Sequence, residues 1–236
     1  MSNFFAIPIT DEWGTTYQLT TAGYTALVVL MLALLLLACF IGNSVKQPKF
    51  SARQLAFSAM AIAAAFVTSE IKLFHLPFGG SITLFSMLFL VLIGYWYGLR
   101  AGLMTAIAYG FLQLVSDPYI ISIPQMLVDY IFAFGALGLS GLFSKSKNGL
   151  VKGYIVGVLG RYFFAFLSGM IFFGAYAADY GMSAPVYSLV YNGIYLSVEA
   201  VLTLIILYLP PVKKVMGQLK TCLLYTSPSP RDSTSS

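Results

Sequence analysis

The chain has 236 residues, is 59% hydrophobic and only 9% charged, and has a mean hydropathy of +0.85. A soluble domain carries roughly 25% charged residues, so a water-soluble fold is excluded. The net charge of +5 does not require a nucleic-acid partner, because the basic residues fall between apolar runs.

Residues 1–21 are polar and aromatic and contain Asp11 and Glu12. Seven apolar segments follow: roughly 22–43, 53–70, 82–98, 101–116, 124–143, 151–174 and 185–209. Each is near the ~20 residues that a bilayer needs. Long continuous apolar runs are the signature of helices rather than of an alternating barrel. The expected fold is an all-α integral membrane protein. The first segment resembles a signal anchor, and Leu36-Leu-Ala-Cys39 resembles a weak lipobox. Residues 1–21 lack the Lys or Arg of a signal-peptide n-region, so an uncleaved segment is expected.

Basic residues cluster at Lys46, Lys49 and Arg53, at Arg100, at Lys145, Lys147 and Lys152, and at Lys213, Lys214 and Lys220. With seven spans all four clusters fall on one side, the cytoplasmic side by the positive-inside rule. The N-terminus is then outside and the C-terminus inside. The Ser- and Pro-rich tail, which includes Cys222-Leu-Leu-Tyr-Thr-Ser-Pro-Ser-Pro-Arg-Asp, reads either as translated sequencing adapter or as ordinary disordered chain.

In the second segment small residues recur four apart, at Ala52/Ala56, Ala59/Ala63 and Ala61/Ala65. Such spacing lets another helix approach closely. It fits a docking face for a membrane partner and internal packing equally well. Gly138-Leu-Ser-Gly141 matches the short motif of an intramembrane serine protease. A serine nucleophile needs a base, and the only histidine, His75, lies upstream, so close helix packing is expected. Two distant cysteines and one histidine supply neither a metal site nor a disulfide framework. There is no Gly-rich nucleotide loop. Any active transport therefore draws on an ion gradient or on another subunit.

Asp129 lies in the apolar run Ile123 to Leu139. A carboxylate there costs about 2.5–3.5 kcal/mol unless it faces a cavity or a partner. Tyr119, Gln125 and Tyr130 beside it suggest a polar, aromatic pocket for a cationic or hydrogen-bonding ligand. The alternative is structural pairing with a basic residue. Arg161 and Glu199 also lie within apolar segments and are expected to pair with each other. Tyr187, Tyr191 and Tyr195 share one helix face, and Asn192 beside them needs a hydrogen-bond partner.

Several short motifs, weak singly, are specific in their order and spacing. They are Leu76-Pro-Phe-Gly-Gly-Ser-Ile-Thr83, Gly94-Tyr-Trp-Tyr-Gly98, Asp117-Pro-Tyr119, Gln125 with Asp129-Tyr130, Gly160-Arg161, Ser168-Gly169 and Tyr187-Ser-Leu-Val-Tyr-Asn-Gly193. Over roughly 53–212 the chain resembles the thiamine-specific substrate-binding (S) component of energy-coupling factor transporters. The resemblance implies a six-helix bundle, with one extra N-terminal transmembrane helix here. The implied division is 1–50 (external N-terminus and extra helix), 51–214 (binding domain) and 215–236 (tail). It implies a non-enzymatic subunit, without cofactor or metal, of an importer in the bacterial cell membrane. That subunit captures thiamine, or a related pyrimidine or thiazole compound, at the external face. It also implies a transmembrane coupling subunit and two ATPase subunits as partners. By motif match the ligand residues are Tyr119, Asp129, Tyr130, Phe173, Tyr187 and Asn192; the docking residues, Ala59 and Ala63, come from the small-residue spacing of the second segment. The family often has histidine where Ala165 stands and commonly tryptophan where Phe173 stands. An intramembrane enzyme and a ligand-free scaffold are the competing classes. A dyad of catalytic groups would favour the first. A salt bridge between Asp129 and Arg161 with no cavity would favour the second.

Overall fold

The computed structural model describes residues 50–75 and 80–225 without a break, and, before them, residues 4, 6–11, 14–23, 25, 26 and 29. The expected membrane segment at 22–43 and the motif residues Leu76 to Gly79 thus lie largely outside the described residues, as does the end of the tail. At the N-terminus β1 (Ala6–Asp11) and β2 (Gly14–Leu19) form an antiparallel hairpin.

Helix α1 (Ala52–Glu70) begins at a capping box. Ser51 Oγ accepts from the Gln54 amide and Gln54 Oε1 accepts from the Ser51 amide, both at 3.1 Å. This satisfies donors that a helix start otherwise leaves orphaned. A second hairpin follows, β3 (Lys72–His75) and β4 (Ser81–Thr83), with an irregular register between Lys72 and Phe74. The apolar pattern had extended the next helix back to residue 82. Instead Phe85 turns in the left-handed region, at φ 60°, and α2 spans only Ser86–Tyr97. At 1.5 Å per residue α2 is about 18 Å long, short of the ~30 Å bilayer core.

Gly98, at φ +89°, takes the joint into α3 (Leu99–Ser116), a backbone conformation that a side chain would strain. Then come α4 (Ile123–Phe143), α5 (Gly149–Phe172) and α6 (Ala184–Tyr208). Five of these helices, α1, α3, α4, α5 and α6, are long and apolar enough to cross a membrane, and α2 is the shorter sixth. A final helix, α7 (Pro210–Tyr225), runs into the stretch read from sequence as tail.

Helix α2 is the centre of the bundle and packs on α1, α3, α4 and α5. It is apolar around its whole circumference, as a helix without a solvent face must be. Met87, Leu90, Val91 and Ile93 are fully buried. Glycines allow the tightest crossing, that of α3 on α4. A Cβ on Gly138 would meet the Leu103 backbone at 2.5 Å, and one on Gly102 would meet Gly138 O at 2.8 Å. Backbones this close gain dispersion contacts that larger residues forbid. Ser140, in the same motif, donates to Val91 O at 3.0 Å and is fully buried. The protease-like motif is therefore a packing element.

The alanines of α1 divide. Ala61 and Ala65 face the core, so that pair is internal packing. Ala52, Ala56, Ala59 and Ala63 are exposed on the opposite face, flanked by exposed Leu55, Met60 and Val67.

Candidate functional site

Helix α4 is not uniform. Between two α-helical turns, Leu127–Phe132 forms a wider π turn, and Asp129 lies within it. Such bulges recur at functional sites because they re-aim side chains without ending the helix. Here Asp129 faces a partly open cavity of about 210 Å³ lined by residues of the hairpin β3–β4 and of all six helices α1 to α6. The six residues inferred to bind ligand, Tyr119, Asp129, Tyr130, Phe173, Tyr187 and Asn192, all line it.

Gln125, one turn before Asp129 and fully buried, organises this wall. Its Nε2 donates to Asp129 Oδ2 at 2.6 Å and to Tyr119 O at 3.1 Å, and its Oε1 accepts from the Ile121 amide at 3.1 Å. Each polar end of the amide is thereby matched. Tyr130 braces the same loop: its Oη accepts from the Tyr119 amide at 2.8 Å and donates to Asp117 O at 3.0 Å. Its hydroxyl is thus committed to holding Tyr119 in place.

The aromatic wall comes from two places. Tyr119 stacks on Phe173 with centroids 5.7 Å apart and planes 25° apart. Tyr176, from the 3₁₀ segment Gly174–Tyr180, lies against both: its ring is 6.0 Å from Phe173 and its Oη 3.1 Å from that of Tyr119. Nothing in the sequence singled out Tyr176. On α6 the tyrosine spacing gives the expected stripe, with Tyr187 and Tyr191 stacked at 5.6 Å and Tyr191 edge-on to Tyr195 at 6.0 Å.

Asn192 finds its partner across the helix interface. Nδ2 donates to Ala165 O at 3.2 Å and to Ser188 O at 2.9 Å, and Oδ1 accepts from Tyr195 Oη at 3.0 Å. It ties α6 to α5 while lining the cavity. Ser168, fully buried on α5, also lines the cavity, with its hydroxyl beside the Asp129 carboxylate.

The expected Arg161–Glu199 pair does not form. The Arg161 guanidinium sits 4.1 Å from the Phe134 ring centroid, a cation–π contact. Glu199 instead accepts from Thr83 Oγ1, Ser86 Oγ and the Met87 amide. The pairing failed as an expectation because α2 begins inside the bundle, where its free amides compete for the carboxylate. Asp129 and Arg161 both face the cavity yet form no ion pair. A salt bridge between them with no cavity would have favoured the ligand-free scaffold reading, and neither is seen. Among the described residues no group of His, Cys, Asp or Glu could hold a metal ion.

Residues 55–218 match the family model described as thiamine transporter protein (Thia_YuaJ). The chain belongs to this family. A thiamine transporter ThiT from Bacillus subtilis is 33% identical over 178 residues, which is 69% of this chain and 92% of that protein. A second ThiT, from Lacticaseibacillus paracasei, is 32% identical over 124 residues, covering 47% of this chain and 59% of its own length. A solved structure of ThiT from Listeria monocytogenes superposes with a TM-score of 0.54 at 26% identity, covering 73% of this chain and 94% of that one. The family agrees with the resemblance drawn from the short motifs, and with an all-helical membrane bundle. The relatives are named as transporters, in line with a non-enzymatic, multi-pass membrane protein. The family match begins at residue 55, just inside α1.

Proposed function

We propose that this chain is the substrate-binding membrane subunit of an energy-coupling factor importer and captures thiamine at the external face of a bacterial cell membrane. The observation that carries this reading is the Asp129 carboxylate. It faces an aromatic-walled cavity and is held by Gln125 but by no cation. Thiamine is complementary to this wall. Its fixed positive thiazolium complements the carboxylate and the ring faces of Tyr119, Phe173 and Tyr187, at roughly 0.5–2 kcal/mol per cation–π contact. Its aminopyrimidine offers a donor for a charge-assisted hydrogen bond to Asp129. The binding unit is then 51–214, with 1–50 an added N-terminal region.

Capture needs no bond chemistry, and the sequence has no nucleotide-binding loop. Transport therefore draws on a transmembrane coupling subunit and two ATPases. The coupling subunit docks on the exposed face of α1 around Ala59 and Ala63, whose small side chains permit close helix approach. The four basic clusters place the C-terminus in the cytoplasm and the N-terminus outside.

Ala165 favours a second ligand reading. It lines the cavity where the family often has histidine. The space beside it suits a related pyrimidine or thiazole compound of different shape. Equilibrium binding of radiolabelled thiamine to the purified protein decides between them. Saturable binding at one site per chain is expected. No saturable binding of thiamine, nor of its labelled pyrimidine or thiazole half, removes the reading.

A further inference from the structure

The ligand-binding reading leaves one buried carboxylate without a role. Glu199 is 4% exposed and lies about 22 Å along α6 from its first residue at 1.5 Å per residue. An isolated carboxylate at that depth is unfavourable, so its surroundings must explain it. Its Oε2 accepts from Thr83 Oγ1 at 2.6 Å and its Oε1 from the Met87 amide at 3.0 Å. Ser86 Oγ lies 3.1 Å from Oε1 and 2.9 Å from Thr83 Oγ1, so its single proton is shared between the two.

These donors have one origin. Helix α2 starts within the bundle, and its N-cap residue, Phe85, makes no side-chain cap bond. The first amides of a helix have no intrahelical acceptor and carry the positive end of its dipole. In water they would be solvated; inside a membrane they need a partner. Glu199 supplies it from another helix. The same carboxylate holds Thr83, the last residue of β4. At the other end of that strand the Gly80 amide donates to Tyr191 Oη at 2.9 Å. A Cβ on Gly80 would meet that oxygen at 2.6 Å, so the strand lies directly on the tyrosine stripe. Glu199 and Tyr191 are both on α6, two turns apart, and grip one short strand at its two ends.

We propose that Glu199 is a positioning residue for ligand capture: its carboxylate caps the membrane-embedded start of α2 and so holds β4 and the Gly80 amide against Tyr191 in the cavity wall. Glu199 acts through the strand and through Tyr191. The contribution to capture rests on the thiamine reading; the positioning itself does not.

The test therefore has two readouts on the full chain in detergent. The first needs no ligand. Hydrogen exchange of the segment 80–87 is followed by mass spectrometry in wild type, Glu199→Leu, Glu199→Gln and Tyr191→Phe. Glu199→Leu should raise exchange in 80–87 by about tenfold or more while α4 and α5 stay protected, because local opening is set by the bonds that close it. Glu199→Gln keeps an acceptor for the Met87 amide and should restore most of the protection. The second readout is thiamine affinity. Glu199→Leu should weaken it by about tenfold, Glu199→Gln by less. Glu199→Leu combined with Tyr191→Phe should lose less than the product of the two separate losses, since both act on one strand. If Glu199→Leu does not fold, Thr83→Val with Ser86→Ala removes the two hydroxyl donors instead and should open the same segment. Unchanged exchange in 80–87, failure of glutamine to restore it, or independent losses in the double variant overturns the proposal. If wild type binds no thiamine, the transport reading falls, while the exchange data still decide the role of Glu199.

Discussion

Among the five helices long enough to cross a membrane, α1 and α4 are the extremes of burial. In α1 only 11% of the membrane window is buried, against 44% in α4. Helix α4 turns a carboxylate and an amide inward and departs from α geometry to do so. Helix α1 keeps regular geometry and turns a row of alanines outward. Specific capture requires buried polar groups with matched partners. Association between helices in lipid requires small side chains and a clear approach. On the proposed reading the two tasks lie on separate helices, so they should be separable by substitution.

The sharpest way to test that separation is on α1. Ala63→Trp, or Ala59→Trp, should abolish ATP-driven thiamine accumulation in vesicles reconstituted with the coupling subunit and ATPases. Equilibrium binding to the same variant should stay within about twofold, since a surface side chain away from the cavity changes little. Loss of both activities would make this face part of the bundle's own packing. On α4, Asp129→Asn should weaken thiamine binding by about 2 kcal/mol, near thirtyfold, because a buried charge-assisted hydrogen bond is lost. Titration calorimetry reads this directly, and wild-type affinity in a folded variant would remove Asp129 from the site.

Smaller effects sharpen the comparison. Ala65→Trp, on the buried face of α1, should lower stability by about 1–3 kcal/mol through overpacking, visible as a lower melting temperature together with reduced binding. It is the inward counterpart of Ala63→Trp. Phe173→Leu should cost about 0.5–1.5 kcal/mol of affinity by removing a π face, with little change in melting. Ala165→His should be tolerated, because the side chain projects into the cavity, and should tighten thiamine binding a few-fold. Weaker binding by the folded variant would indicate a pocket shaped for another ligand.

Much of this architecture was legible in the sequence, for identifiable reasons. Hydropathy marked α1, α3, α4, α5 and α6, because a lipid-facing helix must be apolar over its full length. Asp129 stood out because a carboxylate is rare in such a run. The tyrosine stripe followed from a spacing of four. What failed was local. Residues 82–85 are as apolar as a helix, yet they form the end of β4 and a left-handed turn. Ile82, Leu84 and Phe85 are half-buried there, and that partial burial, not helical periodicity, accounts for their apolar character. Glu199 was assigned to Arg161 because sequence exposes charges and hides free helix amides. Tyr176 gave no signal, since one tyrosine among sixteen carries no pattern.

The π turn at Leu127–Phe132 has a further consequence. A π turn holds one residue more than the α-helical turn it replaces, so it resets the angular phase of everything that follows. Gln125 and Asp129, at or before it, look into the cavity. Gly138 and Gly141, beyond it, look onto α3. Gly138 and Gly141 themselves lie in a tighter 3₁₀ stretch, Ala136–Phe143. The angle between the two groups is thus set by a wide turn followed by a tight one, and an unbroken α-helix of the same residues would change it. These departures from α geometry let one helix serve two surfaces. A single-residue deletion there would be felt at both ends of α4, far beyond the missing side chain.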